Sequence, residues 1–183
     1  MLKCINVVNL KTLKCIIFAM VCCFSAIAQT PPLNEIVNFK LPKGAERTSL
    51  SRTPLKKNDI SSLNTSSSEE NGSQCYKINN LLLCLNAARF ETPRADYLES
   101  FKRGFDSMVD TGKPDGYKSF IKTFNGTKFL IVDNEHKGKT TYSFYAINNE
   151  KTSVFTGIIY FTSSDRVKTV QLLEEMFNSV HFK

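Results

Sequence analysis

Asp133, Glu135 and His136 come nearest in this sequence to a group of residues that could do chemistry. Carboxylates beside an imidazole can ligate a metal ion or transfer protons. A structural metal site takes three or four ligands, however, and the sequence has only two histidines, His136 and His181, and no His-Glu-x-x-His motif. We interpret Asp133, Glu135 and His136 as part of a solvated loop between strands and as a candidate binding loop, and we predict no metal site.

Common catalytic motifs are absent from the sequence. It contains no Gly-x-Ser-x-Gly nucleophile elbow, no Gly-x-x-x-x-Gly-Lys phosphate loop and no Gly-x-Gly-x-x-Gly. Its carboxylates are dispersed, and Glu174-Glu175 is typical of the solvated face of a helix. We therefore predict no catalytic residues and no cofactor. An enzyme with a dispersed site near Asp133–His136 is an alternative.

Cys75 and Cys84 are predicted to form a disulfide across a β-hairpin. Asn79-Asn80 can make a two-residue turn, and pairing outward from that turn places Cys75 opposite Cys84. Their position is a non-hydrogen-bonded one, where opposed residues come closest. The closed loop is short, so we expect a stabilisation of about 2–3 kcal/mol. A redox-active pair is the alternative, but the Cys-x-x-Cys spacing is missing.

The other four cysteines lie in Met1–Ala28, which reads as a secretory signal peptide. Lys3, Lys11 and Lys14 form its basic start, Cys15–Ser25 its apolar run, and Ala26-Ile27-Ala28 a cleavage site. We predict cleavage after Ala28 and a periplasmic or secreted protein without a stable membrane span. A retained anchor or lipidation at Cys22 or Cys23 are the alternatives.

Removal of this leader lowers the formal net charge from +7 to +4, since three of 24 Lys+Arg and none of 17 Asp+Glu would leave, and 21 − 17 = +4. The remaining basic residues are scattered instead of forming a stripe with interleaved aromatics, so no nucleic-acid partner is predicted.

The segment 29–73 is predicted to be an N-terminal segment that contains a Ser-rich flexible linker. Leu33–Leu41 could form an edge strand, which Pro42-Lys43-Gly44 would end. Arg47–Ser73 is rich in Ser, Asn and Lys and poor in large apolar residues, so we interpret it as a flexible linker.

Residues 74–183 are predicted to form a single domain. A first helix is expected to begin with Thr92 as the N-cap and Pro93 in the first turn, to end near Gly112, and to bury a stripe of apolar side chains. That stripe consists of Leu98, Phe101, Phe105 and Met108.

Four strands follow, at Lys118–Phe124, Thr127–Asp133, about Thr140–Asn148 and Thr152–Thr162. Asn125-Gly126 predicts a hairpin between the first two strands. Both faces of these strands carry apolar residues, so we expect cover on both sides of the sheet. A last helix, capped by Ser164, would supply part of it through one apolar stripe. The stripe comprises Val167, Val170, Leu173, Phe177 and Val180, with Leu172 and Met176 beside it.

The predicted fold class is α+β: an antiparallel β-sheet made of a hairpin and a four-strand meander, covered by two amphipathic helices in an α/β/α sandwich-like arrangement. The run from NGTKFLIV through YSFYAINN and GIIYFTS, with the closing helix VKTVQLLEEMFNSVHF, resembles the PsbP-like superfamily over about residues 76–183. That superfamily includes photosystem II accessory proteins and a Ran-binding protein. The resemblance implies a sandwich fold and a binding or accessory role, and it transfers no functional residue.

We therefore expect an exported, non-enzymatic binding or accessory protein of the periplasm or cell envelope. A protein partner would engage a sheet edge or the loops Asp133–Lys139 and Asn148–Lys151. Two further alternatives are an immunity or inhibitor protein acting on a toxin, and a carrier of an apolar ligand between the sheet and the last helix, which would need a cavity beside Phe120 and Phe129.

Overall fold

The computed structural model describes residues 32–49, 73–110, 116–136 and 139–183. The predicted signal peptide and most of the predicted linker lie outside these ranges. The described helices are α1 (Leu33–Ile36), α2 (Tyr97–Asp110) and α3 (Arg166–Asn178), the last preceded by a 3₁₀ turn at Ser163–Asp165. The described strands are β1 (Val37–Asn38), β2 (Glu46–Thr48), β3 (Gln74–Ile78), β4 (Leu81–Arg89), β5 (Lys118–Phe124), β6 (Thr127–His136), β7 (Lys139–Ile147), β8 (Ser153–Thr162) and β9 (His181–Phe182). In these parts of the chain, no helix has the length and apolar character needed to cross a membrane.

Seven strands form one antiparallel sheet in the order β2-β3-β4-β8-β7-β6-β5. The predicted α+β class with an antiparallel sheet is confirmed. The hairpin joins the meander because β4 pairs with β8, from Leu82 opposite Tyr160 to Arg89 opposite Ser153. Strands β1 and β9 form a separate two-stranded sheet.

Both predicted hairpin registers are present. Cys75 lies opposite Cys84, their Cα atoms are 4.0 Å apart, and their sulfurs are joined in a disulfide. In the second hairpin, Asn125 and Gly126 have φ values of 43° and 82°, as a type I′ turn requires. Local turn chemistry therefore sets the pairing of β3 with β4 and of β5 with β6.

The sheet carries a core on each face, as the alternation of its side chains predicts. The larger core packs under α3 and includes Phe129, Phe144, Phe155 and Phe177, all fully buried. On the opposite face, Leu98 of α2 packs with Leu130, Val132 and Ile147. The helices α2 and α3 thus cover opposite faces of the meander.

Helix α2 begins later than predicted, at Tyr97 instead of near Pro93. The N–H of Arg94 donates to the carbonyl of Lys151 at 2.9 Å, which ties this segment to the turn between β7 and β8. Its predicted stripe is also only partly buried. Leu98 is buried, but Phe101 is exposed.

The predicted strand at Leu33–Leu41 is instead a single helical turn, α1, followed by the two-residue strand β1. Leu33, Ile36 and Val37 are buried in the larger core, so this segment contributes to packing. Strand β2 is a further difference, since it pairs with β3 and includes Arg47 and Thr48 from the predicted linker.

Helix α3 buries Leu173, Met176 and Phe177 as predicted. The helix starts at Arg166 after the 3₁₀ turn, so Ser164 is not its N-cap. Val167, on the first turn of the helix, belongs to the predicted stripe but is 72% exposed.

Candidate functional site

The predicted binding residues Asp133, Glu135 and His136 lie in a strand, not in a loop. All three belong to β6, whose pairing with β7 continues to His136 opposite Lys139. The polar stretch can remain in the sheet because a cation satisfies its carboxylates. Asp133 and Glu135 project toward the N-terminus of α3, where that cation is Arg166.

Arg166 bridges the two carboxylates with separate nitrogens. Its Nη1 donates to Oδ2 of Asp133 at 2.6 Å, and its Nη2 donates to Oε2 of Glu135 at 2.6 Å. The same Nη1 also donates to the hydroxyl of Tyr142 at 3.1 Å. The Ser163 hydroxyl donates to the second oxygen of Glu135, Oε1, at 2.8 Å. We call Asp133, Glu135, Tyr142, Ser163 and Arg166 the Arg166 network.

The electrostatics of the Arg166 network favour its charged form. Hydrogen bonds from Ser163 and Arg166 hold the pKa of Glu135 below its usual value. Burial, together with the charge of Asp133, raises the pKa of Tyr142, so this phenol stays protonated. Burial alone would lower the pKa of the Arg166 guanidinium, but the hydrogen bonds to both carboxylates raise it overall.

These shifts suit a structural ion pair better than acid–base catalysis. A general acid or base acting near neutral pH needs a carboxyl pKa raised toward the working pH, and Glu135 is shifted the other way. Asp133 is 6% exposed and uses Oδ2 to bind Arg166, while its Oδ1 is buried and has no hydrogen-bond partner among the described residues. The two carboxylates named in the sequence analysis are therefore occupied by Arg166.

Sequence reasoning missed Arg166 because it lies 33 residues from Asp133 in the chain. One signal was available, however. A cation at the first turn of a helix is unfavourable beside the positive end of the helix dipole, by about 0.3–1 kcal/mol. Its presence there indicates a carboxylate partner from elsewhere in the fold.

The second predicted binding loop, Asn148–Lys151, is a tightly bonded turn. The side-chain oxygen of Asn148 accepts from the N–H groups of Thr152 and Ser153, both at 2.9 Å. Asn148 is itself buried, and Lys151 adopts a positive φ of 63°. Through Lys151, this turn hydrogen-bonds the segment that leads into α2, at Arg94 and Ala95.

A cluster of aromatic rings lies beside that turn. Ring centroids are 5.3 Å apart for Phe90 and Tyr97, 4.6 Å for Tyr97 and Phe101, and 5.3 Å for Phe101 and Tyr145. Phe105 completes the cluster at 5.6 Å from Tyr145. We call these five residues the aromatic surface.

The aromatic surface is open to solvent at its centre. Phe101 is 39% exposed, and the other four residues are half-buried. The guanidinium of Arg94 lies over the Phe90 ring at 4.8 Å from its centroid, which adds a cation at one end. Sequence reasoning treated Phe101 as core, because helical spacing alone does not distinguish the buried side of an apolar stripe from its exposed border.

Aromatic side chains pack against one another between the sheet and α3. The Phe177 ring stacks on Phe129 at 4.5 Å and contacts Phe144 at 4.9 Å and Phe124 at 5.1 Å. This packing leaves the predicted apolar-carrier alternative without support at that position.

No family model matches the sequence, and no curated protein matches it. Among solved structures, the chain is similar to the crystal structure of LpqN, which is involved in cell envelope biogenesis of Mycobacterium tuberculosis. The two chains are 12% identical with a TM-score of 0.43, over 80% of this chain and 83% of LpqN. A likeness of this degree assigns neither family nor function.

Proposed function

We propose that the protein is an exported, non-enzymatic binding or accessory protein of the periplasm or cell envelope. The observation that carries this proposal is the aromatic surface. Aromatic residues are enriched at the centres of protein–protein interfaces, where they bury a large area at a small cost in side-chain entropy. A group of five packed rings with Phe101 exposed at its centre fits such a role.

The Arg166 network supports the non-enzymatic part of the proposal. Its carboxylates neutralise one guanidinium, and its geometry positions the start of α3 on the sheet. A catalytic role would require Asp133 or Glu135 to leave that ion pair.

The disulfide supports the exported part of the proposal. Disulfides persist in oxidising compartments and are rare in the cytosol. Cys75 and Cys84 are also the two cysteines that would remain after the predicted leader is removed. The proposal includes cleavage of the signal peptide and a periplasmic location.

The PsbP-like resemblance also stays a proposal. Two helices on opposite faces of an antiparallel meander support an α/β/α arrangement of that kind. The binding role that the resemblance implies agrees with the role proposed here from the aromatic surface.

Site-specific photo-crosslinking tests the proposal. We would place p-benzoylphenylalanine at Phe101 and, as a matched control, at Val167, which is also an exposed apolar residue on a helix. In the envelope fraction of the native host, we expect a discrete crosslinked protein from position 101 and none from position 167. Identical products from both positions, or none from either, would contradict partner binding at the aromatic surface.

A further inference from the structure

We propose that the outer edge of β5 accepts an extended acidic segment of another protein as an additional strand. This inference goes beyond the proposed function, because the edge is a second surface and does not depend on the aromatic surface. Addition of a strand to an open edge gives affinity through main-chain hydrogen bonds and specificity through alternate side chains.

Strand β5 is the last strand of the sheet on its side among the described residues. In a hairpin with a two-residue turn, Phe124 and Thr127 exchange both hydrogen bonds, and the pattern alternates from there. The N–H and C=O groups of Thr123, Ile121 and Ser119 therefore point away from β6. They offer a partner strand three consecutive pairs of main-chain bonds.

The two edges of the sheet differ in what they offer. Strand β2 at the opposite edge has three residues, whereas β5 has seven. At about 3.4 Å per residue, β5 extends over about 24 Å, which is enough to fix the register of a bound segment. Strand β5 is thus the better edge for pairing with an added strand.

The α3 side of β5 has a pattern that selects a partner. Lys118, Phe120 and Lys122 alternate along this face, and all three side chains are exposed. Phe120 is 42% exposed, although most of the rings on this face are buried. Directly opposed residues on neighbouring strands lie about 4.5–5.5 Å apart at Cβ. A complementary partner strand would therefore carry an acidic residue opposite each lysine and an apolar residue opposite Phe120.

Lysine on an edge strand often serves only to prevent unwanted pairing. Prevention of pairing does not account for Phe120. An exposed ring between the two lysines favours pairing with another strand, whereas the lysines alone would oppose it. Nearby carboxylates leave Lys118 available, since Asp133 opposite it binds Arg166 and no ion pair to Lys118 exists among the described residues. Lys122 bonds Glu174 at 2.6 Å on the exposed surface, where a second carboxylate can share it.

A second copy of β5 fits this edge less well. An antiparallel copy that stacks Phe120 on Phe120 places each Lys118 opposite a Lys122, which is a like-charge contact on both sides. The register centred on Ile121 instead places each lysine opposite a phenylalanine, so neither charge is compensated. Charge complementarity therefore favours an acidic partner over self-association.

The test uses the purified protein and a seven-residue peptide with Glu at its second and sixth positions, Val at the fourth and Thr elsewhere. We expect NMR shift changes on β5 and slowed hydrogen exchange at the N–H groups of Ser119, Ile121 and Thr123. A peptide with Lys in place of Glu is expected to bind at least about tenfold more weakly. Equal binding of the two peptides, or protection of amides elsewhere, would overturn the proposal.

Protein variants sharpen the result. The double reversal Lys118→Glu/Lys122→Glu is expected to weaken acidic-peptide binding by about tenfold. Lys43→Glu/Lys77→Glu makes the same charge change at exposed positions beside the opposite edge of the sheet, so its affinity should stay within about twofold. Equal losses in the two double variants would indicate a general charge effect and would refute an edge site.

A backbone variant tests strand addition separately from charge. Thr123→Pro removes an outward N–H without breaking the ladder to β6, whereas Thr123→Ala keeps that N–H. We expect only the proline variant to lose peptide binding, with both variants folded by circular dichroism. If the proline variant does not fold, the charge variants decide the outcome. Concentration-dependent dimerisation with protection of the same amides would make a second copy the occupant and would overturn the acidic partner.

Discussion

Arg166 links two distant parts of the chain through charge. It occupies the first turn of α3, where the helix dipole disfavours a cation, and the carboxylates of Asp133 and Glu135 offset that cost. Since Asp133 is buried, its charge needs this partner. The residues that looked most like a reactive group in the sequence thus stabilise the fold.

Replacement of Arg166 by methionine is expected to destabilise the protein by about 2–3 kcal/mol, because it leaves the buried Asp133 carboxylate uncompensated. Addition of Asp133→Asn should recover about 1 kcal/mol of this loss, since it removes the buried charge. Urea denaturation measures both changes. Lys168→Met on the exposed side of the same helix is the control, and a loss as large as that of Arg166→Met would contradict the assignment.

Asp106 of α2 is expected to make the stability depend on pH in the acidic range. Hydrogen bonds from Lys102, Ser119 and Tyr117 lower the pKa of its carboxyl to about 2 from 3.8. Because the folded pKa lies below the unfolded one, this stabilisation is complete above about pH 4 and disappears as the pH falls to about 2.

NMR titration of the Asp106 carboxyl carbon gives the direct measurement. A midpoint near 2 is expected, and Ser119→Ala should raise it toward 3.8. Asp106→Asn should flatten the stability profile between pH 4 and pH 2. A wild-type midpoint near 4 would show that the three hydrogen bonds do not act on this carboxyl.

At the scale of elements, the sequence predicts local structure and misses long-range pairing. Both hairpin registers follow from two-residue turns, and the apolar residues on both sides of the strands correctly predict a core on each face. The pairing of β4 with β8 does not follow, because it joins strands more than 60 residues apart and no turn specifies it. The start of α2 is also predicted too early. The N–H of Arg94 donates to the carbonyl of Lys151, which is distant in the chain and not evident from the sequence.

Gly157 of β8 shows how tightly this pairing is packed. It lies between Leu85 and Phe144, and a Cβ at position 157 would clash with both side chains. We expect Gly157→Ala to destabilise the protein by about 1–3 kcal/mol through overpacking. Thermal unfolding measures the change.

Gly104→Ala on α2 is the matched control for Gly157→Ala. A Cβ at position 104 would meet no atom within 4 Å, so this change should be neutral or stabilise the helix by up to about 1 kcal/mol. Equal effects of the two substitutions would contradict the packing described at β8.

The disulfide is expected to reinforce the β3–β4 hairpin without being essential for folding. Cys75 and Cys84 are nine residues apart, and β3 and β4 are held by pairing with β2 and β8 as well. Cys75→Ala/Cys84→Ala should therefore cost about 2–3 kcal/mol and leave the protein folded. Unfolding of the oxidised protein, the reduced protein and the double variant gives the measurement. A double variant without cooperative unfolding would refute this role.

At the scale of the whole molecule, the two ends of the described chain meet on the larger core. Strand β1 pairs with β9, and the N–H of Lys183 donates to the carbonyl of Ile36 at 3.0 Å. The Phe39 ring packs on Phe155 at 5.2 Å. The sequence did not reveal this arrangement, because short segments such as α1 and β1 are defined by their contacts and not by their own periodicity.

Among the residues that the structure describes, the aromatic surface and the β5 edge are exposed features with the chemistry of interaction sites. The rings between the sheet and α3 pack against one another, and the carboxylates of Asp133 and Glu135 bind Arg166. A rigid scaffold that presents a few exposed rings is what a binding protein requires, since little order has to be created on association.

The most direct test of this account is the affinity of the protein for the partner captured by crosslinking at position 101. Isothermal titration calorimetry would compare the wild type with Phe101→Ser and with the matched control Val167→Ser. The account predicts that Phe101→Ser weakens binding by at least about tenfold, as expected for an interface anchor, and that Val167→Ser leaves the affinity within about twofold. Unchanged affinity for Phe101→Ser, in a variant that retains its fold, would contradict the central claim that the protein works by binding through its aromatic surface.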